Sequence, residues 1–100
     1  MDANRVLYNS TEEALDSLGN SAKQMIMWQM SERKVSMAPD DFDIKKVASV
    51  MSELLGEGSE TVLNMIYRNV CIHLGVDVQA DTELPALERI SRTMKSKKMS

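Results

Sequence analysis

Apolar residues in this chain recur at intervals of three and four rather than two, and that rhythm divides it into helices. In "STEEALDSLG", Ala14, Leu15 and Leu18 share one side. Ser10 stands three residues before Glu13, the spacing of a capping box, which predicts a helix from near Ser10 and leaves about residues 1–9 as a mobile lead-in. Gly19 is then a stop or a tight packing point. A second helix is expected from near Ser21, with Ala22, Met25, Ile26 and Met30 as its inner face. Met27 and Trp28 fall beside that face and widen it beyond what a single neighbour would cover.

"KVSMAPDDFD" breaks the rhythm with the first proline and a cluster of carboxylates, so it reads as a loop feeding a helix capped by Asp41 or Asp43. Ile44, Val47, Ala48, Met51, Leu54 and Leu55 then form an amphipathic stripe. The helix after "GEGSE" sets Val62, Ile66, Val70 and Leu74 or His73 on one side and stops at Gly75. A final helix is expected to be capped at Asp81 or Thr82, with Pro85 tolerated in its first turn and Leu84, Leu87, Ile90 and Met94 as its apolar edge. The pattern predicts an all-α fold: a compact bundle of four to five helices in a single domain over 1–100, with a basic tail from about 95 to 100.

The nearest approach to a catalytic signature is "ELLGEGSETVLNMI", a Gly-x-Gly followed by Ser and Thr. A phosphate loop needs a strand before it and a lysine beside the hydroxyl residue. Here the preceding element is helical, no lysine follows Gly58, and Glu57 and Glu60 would repel phosphate. Gly56 suits a left-handed residue closing one helix, Ser59 the N-cap of the next, and Glu60 its first turn. The stretch reads as a Gly-rich helix–loop–helix corner.

Other candidate chemistry is sparse. Cys71 and His73 are two apart and point to different sides of a helix, and there is no second cysteine or histidine to complete a zinc set or a catalytic pair. They read as a small core residue and a helix-end residue. Asp40, Asp41 and Asp43 lack the ligand spacing of a calcium loop and read as capping acids. No catalytic, cofactor-binding or metal-binding residue is nominated, and the expectation is a protein that is not an enzyme.

Composition narrows the setting. With 43% hydrophobic and 27% charged residues, a chain of 100 residues suits one globular domain. Its apolar runs are too short to span a bilayer, "MDANRVLYNS" has no leader pattern, and a lone cysteine fits a reducing compartment, so a cytoplasmic protein without a membrane partner is expected. Five of the twelve basic residues (Arg89, Arg92, Lys95, Lys97 and Lys98) lie in the last twelve positions; residues 1–88 hold seven against all fifteen acids, a net charge of −8. Such a tail could touch nucleic acid, but cations near a helix C-terminus also complement its dipole, and no aromatic residues stand among them to stack on bases.

At an offset of 40 residues "QMIMWQM" lies over "NMIYRNV", with few identities. The order "ALDSLGNSAKQMI", an acidic loop, then "VMSELLGEGSETVLNMIY" resembles small single-domain helical proteins of archaea, in which a Leu-Gly segment precedes one helix and a Leu-Leu-Gly or Leu-Phe-Gly corner another. The resemblance covers about residues 12–75. It implies a helical fold and an archaeal origin, and brings no activity with it.

Two functions follow as expectations. The first is a non-catalytic protein-interaction or assembly module, a homo-oligomer or a subunit docking another chain, with Met27 and Trp28 at the interface; the chain's nine methionines against four aromatics favour adaptable contacts. The alternative is a small nucleic-acid-associated regulator using Arg89, Arg92, Lys95, Lys97 and Lys98, or Asn64, Arg68 and Asn69 on the helix after the corner.

Overall fold

The first helix, α1 (Ala3–Ser17), begins well ahead of the expected cap at Ser10. The computed structural model describes residues 3–78 and 84–99, with side chains through 95. Val6 and Leu7 are buried, so much of the segment expected as a mobile lead-in is helix and core. Ser10, Thr11 and Ala14 are completely buried on the inner face. Ser and Glu three apart also arise wherever a small residue faces inward and an acid faces water, and that is the case here. Thr11 Oγ1 donates to the Leu7 carbonyl at 2.8 Å, the usual outlet for a hydroxyl inside a helix.

Helix α2 (Asn20–Glu32) follows a break at Gly19, whose φ of 95° requires glycine and around which there is open space, so it is a stop and not a packing point. Lys23 closes the corner with Nζ at 2.6 Å from Asp16 and 2.9 Å from Glu12. Asp16 first, then Glu12, holds that ammonium well above the ordinary lysine range. A raised lysine contributes fully below its ordinary value, so this attraction persists through neutral pH and is lost only in strongly alkaline solution. At the other end, Val35 N–H reaches the Met30 carbonyl at 2.9 Å and Lys34 N–H the Ser31 carbonyl at 3.1 Å, a Schellman closure with Lys34 left-handed at φ 58°.

A single 3₁₀ turn, Pro39–Asp41, leads to Asp43, which caps α3 (Ile44–Leu55) by accepting from Lys45 N–H at 3.0 Å. Asp41 instead takes the Ser36 hydroxyl. Ile44, Val47, Ala48 and Met51 are buried as the stripe predicts, and Leu54 and Leu55 are half-buried.

The corner between α3 and α4 (Gly58–Leu74) is structural, but two details differ from expectation. Gly56 lies at φ 56°, ψ −127°, the first central position of a type II′ turn and not the left-handed helical region. Ser59 is no N-cap: it is buried within the first turn and its hydroxyl donates back to the Gly56 carbonyl at 2.8 Å. Gly75 closes α4 in the left-handed conformation, as expected.

The fifth helix, α5 (Ala86–Met99), begins beside the first turn of α4, where Glu60 Oε1 accepts from Ala86 N–H at 2.7 Å. The expected caps Asp81 and Thr82 lie outside the described residues. Helix α4 is the axis of the bundle, packed against α1, α3 and α5, while α2 packs chiefly against α3 and α1. Cross-links from Asn69 to Ser10 and from His73 to Glu13 advance together along both helices, so α1 runs parallel to α4. Glu60 to Ala86 and Asn64 to Arg89 show the same for α5. Leu15, Ile26, Met30, Met51, Ile66 and Val70 are sealed inside. The five helices form a compact all-α bundle, as the apolar spacing predicts.

Gly56 and Gly58 stand two apart yet should respond oppositely to alanine. A Cβ at Gly56 has open space around it, so Gly56→Ala tests backbone strain alone and is expected to cost on the order of 1–3 kcal/mol. At Gly58 a Cβ would meet only Leu55 Cβ at 3.7 Å. Gly58→Ala should gain about 0.4–1 kcal/mol by restricting the unfolded chain. Urea denaturation of both variants checks the pair; a change of the same sign in both would contradict the turn geometry.

Candidate functional site

On α2, Ile26 and Met30 are fully buried and set the direction of the core. At about 100° per residue, the line between them leaves Met27 about 80° away, Met25 about 120° and Trp28 diametrically opposite. Exposure follows that geometry: Trp28 is 57% exposed and Met25 45%, while Met27 is half-buried against the core. The expected pair therefore separates. Met27 turns inward, and Met25, expected on the inner face, joins Trp28 outside. Taking the midpoint of the two strongest core positions, in place of a broad stripe, would have found this from the sequence.

The remaining exposed positions of α2 are Asn20, Ser21, Gln24, Ser31 and Glu32, so its outer face carries a single charge, at its end. A large aromatic with methionine in a charge-depleted surround is the composition of an interface centre. Two other large apolar side chains, Ile72 and Val78, are exposed near the end of α4, a feature the sequence reading did not single out.

The basic residues do not act as one group. Arg89 is directed inward: its guanidinium donates to Asn64 Oδ1 and to the Leu84 carbonyl at 3.2 Å and lies 4.8 Å from the centre of the Tyr67 ring. It docks α5 on α4, which corrects its assignment to a nucleic-acid surface. Arg92 is exposed and loosely paired with Glu88 at 3.6 Å, and Lys95 is exposed. The side chains of Lys97 and Lys98 lie outside the described residues. Along α4, Asn69 donates to the Ser10 carbonyl at 3.0 Å and Asn64 to the Glu60 carbonyl at 3.0 Å, leaving Arg68 as the exposed member of that expected set. Packed against α1, α3 and α5, α4 leaves open a stripe of Thr61, Arg68 and Ile72 that carries a single cation, where groove entry calls for several polar and basic side chains.

Cys71 is buried as a small core residue, and His73, in the last turn of α4, meets Glu13 at 3.0 Å. Among the described residues no group of three or more His, Cys, Asp or Glu side chains is placed to hold a metal, and no helix is long and apolar enough to cross a membrane. No protein-family model, curated protein or solved structure matches the chain, so the resemblance to small archaeal helical proteins rests on the quoted residues alone.

Arg89 and Arg92 separate structural from solvated cations. Arg89→Ala should lower stability by about 1.5–3 kcal/mol, the range for hydrogen bonds to a charged group. Arg92→Ala should change it by no more than about 0.5 kcal/mol. Chemical denaturation followed by circular dichroism measures both; equal effects would show that Arg89 does not hold α5.

Proposed function

We propose that the chain is a non-catalytic helical interaction module of the cytoplasm that self-associates through the outer face of α2. The observation that carries this reading is Trp28, more than half exposed and opposite the core on a helix face with almost no charge. Leaving an indole in water forgoes the largest apolar burial any side chain can contribute, and a partner surface restores it. A second copy is the favoured occupant for an electrostatic reason. The chain carries a net charge of −3, so two copies repel over most of their surfaces, whereas a two-fold contact through α2 sets neutral side chains against neutral side chains.

Trp28→Ala tests this directly. Being exposed, Trp28 contributes little to the folded monomer, and its removal should leave monomer stability within about 0.5 kcal/mol. Association should weaken by about 2 kcal/mol or more, roughly thirtyfold in dissociation constant. Sedimentation and light scattering across a concentration series read the second quantity, and denaturation at high dilution the first. A wild-type chain that stays monomeric at every concentration would refute the proposal, as would a variant that loses stability instead of association.

A further inference from the structure

We infer that Met25 is an oxidant-reactive site, and that its conversion to the sulfoxide by a hydroperoxide switches off the α2 face. The switch rests on the self-association proposed above, but the reactive site does not. Of the methionines whose side chains are described, Met25 is the one that is exposed. Met30 and Met51 are sealed in the core, and Met27, Met37, Met65 and Met94 are half-buried against it. Susceptibility of a thioether follows its access to the oxidant, so the fold sorts seven chemically equivalent sulfurs into one open site and six shielded ones.

The reaction is a two-electron oxygen transfer. The Met25 sulfur lone pair attacks the terminal oxygen of the hydroperoxide and the O–O bond breaks. The oxygen stays on sulfur, and its proton moves to the departing alkoxide or hydroxide. Sulfur is oxidised, and the peroxide is reduced to an alcohol or to water. The product replaces a flexible apolar group with a dipole that accepts hydrogen bonds and donates none.

Position gives that change its consequence. Met25 lies one turn before Trp28 on the same outer face, so any contact that covers the indole also covers the thioether. Association therefore shields Met25, and the free chain is the form that reacts. Once oxidised, re-forming the contact would require stripping water from a sulfoxide dipole that is fully solvated in the free chain. Oxidant thus captures the dissociated chain and holds it apart.

The experiment treats the full chain with hydrogen peroxide at protein concentrations above and below the dissociation constant and locates added oxygen by peptide mass. Among the seven methionines with described side chains Met25 is expected to react first, outpacing Met30 and Met51 roughly a thousandfold, the factor set by how rarely a stable core opens. Its rate should fall as protein concentration rises, while the rates at Met37 and Met94 stay constant. The sulfoxide should weaken association about tenfold or more. A Met25→Leu variant has no sulfur at this position, so its dissociation constant, whatever its value before treatment, should be the same after it. Comparable oxidation of Met25, Met37, Met65 and Met94 below the dissociation constant, in a chain that associates above it, would overturn the inference alone, as would a loss of association by Met25→Leu on treatment at the same dose. A chain monomeric before treatment would overturn the self-association and with it the switch, while the peptide masses would still decide whether Met25 is the reactive site.

Discussion

The parallel packing of α1 on α4 is the contact around which the bundle is arranged, and it combines the larger Val6, Leu7 and Leu15 with small side chains midway along α1. Ser10, Thr11 and Ala14 supply them on α1, all with no exposed surface. Asn69 of α4 reaches the Ser10 carbonyl across this contact, and His73 meets Glu13 a turn further on. Helix α4 is flanked by α1, α3 and α5, and its open stripe of Thr61, Arg68 and Ile72 is not taken by α2, which packs chiefly against α3 and α1. Helix α2 docks against α3 and α1 with the narrow strip of Ile26 and Met30 as its buried residues. A helix that buries only that strip leaves its outer face, with Met25 and Trp28, exposed.

The apolar stripes were legible because helix periodicity is a local property: Val47, Met51, Ile66, Val70 and Ile90 are inside where their spacing puts them. Local signals that serve two purposes were not. The Ser10-to-Glu13 spacing means a helix start in one context and a buried small residue beside a solvated acid in another, and the arbiter is α4, some 60 residues away. Ser59 after a glycine corner invites capping, yet the type II′ turn at Gly56 moves the helix start back to Gly58 and carries Ser59 inside. Arg89 resembled its basic neighbours because nothing local reveals Asn64 and Tyr67 waiting on α4. Glu60 was read as an acid in the first turn of its own helix, which it is; that it also takes the first amide of α5 is a tertiary fact.

The polar interactions around α2 explain how a weakly buried helix still presents a fixed surface. Lys23 ties its first turns to Asp16 and Glu12 on α1, Arg33 pairs with Glu53 on α3 just past its last turn, and the Schellman closure seats Val35 on the core. Individually such exposed pairs contribute little to stability. Placed at both ends of one helix, they act on its orientation, because rotation about the helix axis would break them together. Trp28 and Met25 are therefore held at a defined azimuth, which lowers the ordering cost of forming a contact. The same arrangement draws the charges of Lys23 and Arg33 toward neighbouring helices and away from the outer face, so the residues that fix α2 in place also leave its exposed surface neutral.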